Sequence, residues 1–124
     1  QAGARKKPER VEGTLSCELP KILVKKNDIH ITSKRNFDCF QDTELDMLLK
    51  RTLNVKNIII CGVNTDTCVY GTTFGASNRG YNPIVIECCT GSMRGEDQHQ
   101  TALKIMSQSI AWVMKKEEIL NKLN

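Results

Sequence analysis

The sequence predicts an α/β fold in three layers, a parallel sheet with helices on both faces. Three observations lead there. Short apolar runs at Asn57–Val63 (NIIICGV), residues 83–87 (PIVIE) and residues 110–114 (IAWVM) have the composition of buried strands. Segments of helical period stand between them: one rich in small residues over 69–79, and one opening at Glu96 with His99, Ala102, Leu103 and Met106 on a single face. The links are short, so strands and helices in alternation imply parallel pairing through right-handed crossovers.

Taken in order, residues 1–14 are polar, contain Gly3, Pro8 and Gly13 and show no period, which predicts an extended lead-in before a domain over 15–124. Leu15, Leu19, Ile22 and Leu23 predict a short helix or turn with one apolar side. Residues 29–32 read as a brief strand that ends in the polar cluster Ser33, Lys34, Arg35 and Asn36. The run Thr43-Glu-Leu-Asp46 has the form of a capping box. Leu45, Leu48, Leu49 and Leu53 continue it at helical spacing, and Asn54 suits a left-handed stop. The strand Asn57–Val63 is expected to be covered on both faces. A polar turn follows at 64–68, with Asp66 expected to cap the helix over 69–79, which Gly80 ends. After the strand at 83–87 comes a loop over 88–95. Glu96 and Asp97 then supply the acidic first turn of the next helix. A last strand at 110–114 and a terminal helix at 117–123 complete the chain. There is no internal repeat and no low-complexity linker.

Composition narrows the function classes. With 124 residues, 40% hydrophobic and 26% charged, the chain fits one domain and neither a disordered tail nor a membrane protein. Apolar runs are far shorter than a bilayer span. The polar, basic first ten residues have no apolar core behind them, so no signal peptide is expected; the leading Gln points to a processed product or a fragment. The net charge of +4 lies partly in Arg5, Lys6, Lys7 and Arg10, and aromatics, at 5%, do not interleave with it, which argues against nucleic-acid binding. The six cysteines include the adjacent Cys88 and Cys89 but no Cys-x-x-Cys pair, and neither His30 nor His99 stands at ligand spacing. Mostly buried, reduced thiols in the cytoplasm are expected, with no metal. No phosphate loop or G-x-G-x-x-G is present, so no cofactor is expected.

Ligands of open parallel sheets bind at the carboxyl ends of the strands. Cys68 falls there, at the start of the helix after the Asn57–Val63 strand. A helix N-terminus favours thiolate over thiol, and its N–H groups can hold a developing oxyanion. On these residues alone, a nucleophile and a packed thiol both remain open.

The run Gly62-Val-Asn-Thr-Asp-Thr-Cys68-Val69, with Thr72, Ala76 and Arg79-Gly80-Tyr81, resembles the signature of isochorismatase-like cysteine hydrolases. That signature reads G-V-x-T-x-x-C-V followed by T-A-x-D-A-x-x-R-G-Y. Upstream, Lys34, Phe40, Thr43 and Leu45 match the family's lysine segment; downstream, His99, Ala102 and Leu103 match its H-x-x-A-L helix. The resemblance covers roughly residues 11–120.

It implies an isochorismatase-like, Rossmann-like sheet. It also implies a nucleophile at Cys68, a catalytic lysine at Lys34, an oxyanion hole from the backbone N–H groups of Asn64 and Cys68, and a cis peptide at Val63–Asn64. Asn36 and Phe37 are the candidate substrate contacts, Phe40 a pocket wall or core residue, and His99 a packed helix-start residue rather than a general base. The expected chemistry is hydrolysis of a C–N bond in a small amide, carbamoyl or ureido groups included, through a covalent Cys68 intermediate. Three departures stand out. Gly75 replaces the usual Asp before Ala76, Cys88 replaces an Asp after the next strand, and the Asp-x-Gln of the family's first strand occurs nowhere. The chain is therefore expected to lack the first strands and the triad Asp, and to form a homo-oligomer or associate with a polypeptide that supplies them. A non-catalytic interaction domain and a thiol redox sensor are the alternatives.

Overall fold

The computed structural model describes residues 12–124. The chain divides into two units, Gln1–His30 and Ile31–Asn124. In the first, Leu15–Cys17 and Lys21–Leu23 are single 3-10 turns, Pro20 opening the second. The expected extended lead-in lies, for residues 1–11, outside the described residues. The strand expected at 29–32 does not form. A strand exists through its ladder partner, and none of the described strands pairs with this segment.

The second unit is built on three parallel strands in the order β1-β2-β3: β1 (Asn57–Val63), β2 (Asn82–Gly91) and β3 (Trp112–Met114). Helix α2 (Tyr70–Asn78) joins β1 to β2, and α3 (Glu96–Ser109) joins β2 to β3. α1 (Leu45–Met47) runs on into a π-helical turn, Leu48–Thr52, before β1, and α4 (Lys116–Leu123) follows β3. The expected parallel α/β sheet is thus present. Asn54 takes a φ of 50°, as a left-handed stop requires. α2 ends in a Schellman motif: Gly80 at φ 83° donates to Ser77 O, and Tyr81 N donates to Ala76 O.

One core joins Ile60, Val69 and Val85 to Ala102, Leu103 and Met106 of α3. α3 buries His99, Ala102, Leu103 and Met106, the face its spacing predicted. A second cluster, Phe40, Ala76 and Tyr81, sits under α2; Phe40 stacks on Tyr81 at 5.6 Å between centroids, so it is core. On β2, alternation turns Val85 to this side and Ile86 to the other, where it too is buried, and α4 packs against β2.

Three local expectations fail. β1 is not covered on both faces: Ile58 and Ile60 meet the helices, while Ile59 and Val63 are 46% and 55% exposed. Among the described residues β1 is the sheet edge. Cys88 and Cys89 are not in a loop, because β2 resumes pairing beyond them, Thr90 and Gly91 lying beside Gly62 and Val63. The capping box at Thr43 does not form either. Thr43 Oγ1 accepts from Leu45 N and donates to Cys39 O, while Asp46 turns away to accept from the Tyr81 hydroxyl at 2.8 Å.

Candidate active site

Cys68 sits where the sequence put it. β1 ends at Val63, the Val63–Asn64 peptide is cis, and Thr65–Val69 winds as a π-helical turn straight into α2. The Asn64 carbonyl accepts from both Thr67 N (3.2 Å) and Val69 N (3.1 Å), which closes the turn around the cysteine. Cys68 itself is half-buried, as is Cys39, whereas Cys17, Cys61, Cys88 and Cys89 are exposed, so the mostly buried thiols expected from the sequence are not found.

Three side-chain ties hold this turn against the next βα connection. Thr65, fully buried, pairs its Oγ1 with His99 Nδ1 at 2.8 Å. The imidazole is 7% exposed, and this bond anchors His99 at the start of α3. Asp66 does not cap the helix. Its carboxylate accepts from Ser92 Oγ (2.7 Å) and from the Arg94 guanidinium (2.6 Å). The Ser92 hydrogen bond, helped by Arg94, holds the Asp66 carboxyl below the usual range against the opposing effect of burial. Asn64 adds a third tie, its Oδ1 accepting from Met93 N at 3.0 Å. Sequence reasoning missed Ser92, Met93 and Arg94, because a loop's choice of partner leaves no local period.

The lysine segment reaches the same region through α2. Cys39 N donates to Thr72 Oγ1, and Thr72 Oγ1 donates to Phe37 O. Gly71 permits the approach: a Cβ there would stand 3.4 Å from Asp38 N and from Phe37. Phe37 therefore docks one turn beyond Cys68, with half-buried Lys34 three residues upstream. Lys34 Nζ and Cys68 Sγ make no hydrogen bond or ion pair among the described residues. Phe37 is 59% exposed, and Asn36 Nδ2 donates to Asp42 Oδ2 at 3.4 Å.

Gly75 shows how a departure from the family pattern is absorbed. A Cβ at Gly75 would lie 2.6 Å from Asp38 Cγ and Oδ1 and closer still to Oδ2, so the Asp38 carboxylate occupies the space that a side chain at position 75 would claim. Arg79, one turn on, pairs with Asp38 Oδ2 at 3.4 Å and donates to Gly75 O at 3.0 Å. Asp38 Oδ1 also accepts from Phe40 N at 2.8 Å. The Asp38 carboxylate, from another segment, thus sets a negative charge beside Arg79.

Two clefts open on the second unit. One is lined by Glu87, Thr90, Glu96, Gln100 and Lys115 among others, the other by Asp66, Tyr70, Gln98 and Ile105 among others. Neither includes Cys68 or Lys34. Among the described residues, no group of three or more His, Cys, Asp or Glu is placed to hold a metal ion. No helix there is long and apolar enough to cross a membrane.

The model of the isochorismatase domain matches residues 2–118. The chain belongs to the isochorismatase family. An uncharacterized isochorismatase family protein of Escherichia coli O157:H7 is 33% identical over 97 residues, covering 78% of this chain and 50% of that protein. One from Bacillus subtilis is 29% identical, and 54% of it is covered. This isochorismatase-family chain thus spans about half the length of the curated relatives it matches. Among solved structures, an isochorismatase-like hydrolase from Alkaliphilus metalliredigens superposes with a TM-score of 0.84 at 27% identity, over 92% of this chain and 61% of that one. A nicotinamidase from Staphylococcus aureus aligns at 35% identity and a TM-score of 0.61, over 65% of this chain and 51% of its own. The sheet and helices are therefore those of isochorismatase-like hydrolases, present in part.

Proposed function

We propose that this chain is the nucleophile-bearing part of a cysteine hydrolase that cleaves a C–N bond of a small amide, carbamoyl and ureido groups included. The observation that carries the reading is the position of Cys68 at the carboxyl end of a parallel strand, inside the turn that opens α2. The likeness to nicotinamidases supports an amide as the class of substrate.

In this reading the Cys68 thiolate adds to the amide carbon, and the carbonyl oxygen becomes an oxyanion held by the backbone N–H groups of Asn64 and Cys68. Collapse expels the nitrogen, which takes up a proton, and leaves an acyl group on sulfur. Water then attacks that thioester and frees the acid and the thiol. Lys34 supplies positive charge beside the sulfur, and Asn36 and Phe37 contact the substrate. The proton steps need a further acid–base group. Asp38 is engaged with Arg79 and Phe40, and Asp66 with Ser92 and Arg94, so neither is free for that work. The group comes from a polypeptide stretch that also covers the bare side of β1, in the same molecule or in a partner subunit, and the setting is the cytoplasm. The hydrolase part runs over residues 15–124, after the polar lead-in.

The decisive experiment is mass-mapped alkylation with iodoacetamide at neutral pH, paired with amide turnover by the intact protein. Cys68 is expected to label ahead of the other five cysteines. Cys68→Ala should abolish turnover with the fold intact, and Lys34→Ala should lower it about 100-fold or more. The 124-residue chain by itself should release no ammonia and should associate in solution. An intact protein that folds, binds amides and never turns them over would favour a non-catalytic interaction domain. Full activity in the Cys68→Ala variant would end the proposal.

A further inference from the structure

Outside the turn that carries Cys68, the structure gathers three more thiols. The β1–β2 register shifts after Ile60 beside Val85 and resumes with Gly62 beside Thr90 and Val63 beside Gly91. Extended back by one residue, the resumed register sets Cys61 next to Cys89. Neighbouring strands run about 4.8 Å apart. That spacing falls inside the Cα separation of about 4.4–6.8 Å that a disulfide spans. Residues side by side in a parallel pair project to the same face, and the Cys89 and Cys88 thiols are the neighbours that act on the Cys61 thiol. Cys88 Sγ lies 4.0 Å from Cys89 Sγ. All three are exposed.

We propose that Cys61 and Cys89 are an oxidative modification site, a dithiol that a hydroperoxide converts to a disulfide bridging β1 and β2. One thiolate attacks the peroxide oxygen, forming a sulfenic acid and releasing water or an alcohol. The second thiol then displaces the sulfenic oxygen as water, so two electrons and two protons leave the pair and one S–S bond forms. Cys88 is the competitor for Cys89, 4.0 Å away between sulfurs, but joining adjacent residues closes a strained small ring. Partial burial, with the Cys89 and Cys88 thiols beside it, pushes the Cys61 thiol up. Cross-linking should accordingly speed up as the solution is made alkaline. The bridge would sit three residues before Asn64, at the base of the turn that holds Cys68. It does not depend on Cys68 being a nucleophile.

Hydrogen peroxide at low molar excess, followed by blocking of free thiols and tryptic mapping, tests this. Cleavage after Lys56, Arg79 and Arg94 puts Cys61 and Cys68 in peptide 57–79 and Cys88 and Cys89 in peptide 80–94. The intact protein should give these two peptides joined, with two hydrogens lost, and dithiothreitol should separate them. The joined product should survive in Cys68→Ser and Cys88→Ser and vanish in Cys61→Ser and Cys89→Ser. Each variant is checked for native circular dichroism first. A joined product that persists in Cys61→Ser, a bond confined to peptide 80–94, or free thiols throughout would overturn the proposal.

Discussion

Replacing Gly75 tests whether the Asp38 carboxylate occupies the space of a missing side chain. In an open helix interior, Gly→Ala stabilises by about 1 kcal/mol through helix propensity. Here the new Cβ would fall 2.6 Å from Asp38 Cγ and Oδ1. The carboxylate would have to leave, taking with it the 2.8 Å bond from Phe40 N and the 3.4 Å pair with Arg79. An orphaned, partly buried N–H costs about 1–3 kcal/mol. The partly exposed ion pair adds under about 1 kcal/mol. The losses outweigh the gain, so Gly75→Ala should destabilise by about 1–2 kcal/mol. Gly75→Asp should be worse, since it sets a second carboxylate against the first. In Asp38→Ala/Gly75→Asp the clash is gone and Arg79 regains a carboxylate one turn before it on the same helix. A double-mutant cycle should therefore show a favourable coupling above about 1 kcal/mol. Urea or thermal unfolding of the parent, the two single variants and the double variant measures it. A stabilised Gly75→Ala, or additive effects in the cycle, would refute the reasoning.

Thr65→Val keeps the volume but leaves buried His99 Nδ1 without a partner, a cost of about 1–3 kcal/mol by denaturant unfolding, with Thr65→Ser much milder. Asp66, whose carboxyl is held low by Ser92 and Arg94, contributes stability above its unfolded pKa of about 3.9 that is lost as pH falls through the folded value. Asp66→Asn should remove that acid-limb dependence and cost about 1 kcal/mol near neutrality. Tyr81 runs the other way. Burial and the hydrogen bond to Asp46 push its phenol up to about 12, so its contribution is complete below the unfolded value of about 10 and disappears as pH rises to about 12. Tyr81→Phe should flatten stability across that alkaline range, as read by thermal unfolding.

What the sequence determined by itself was whatever contiguous residues encode. The run Asn57–Val63 appears as a strand with those bounds, because an unbroken apolar stretch has few other fates. The 3.6-residue spacing of His99, Ala102, Leu103 and Met106 marked the buried face of α3, and Asn54 and Gly80 marked left-handed stops. The short motif around Cys68 located the turn that opens α2, because its residues are neighbours along the chain. The tertiary structure alone decided pairing between distant segments. Residues 29–32 have strand composition but no ladder partner among the described strands. Asp46 has a capping pattern but is drawn off by Tyr81, 35 residues away. Asp38 enters the space at Gly75, Asp66 answers Ser92 and Arg94 across the next connection, and a register shift in β2 brings Thr90 and Gly91 beside Gly62 and Val63. Period and turn chemistry act over one helical turn or one strand. Hydrogen bonds and ion pairs depend on distance in space, and the packed fold alone sets that distance.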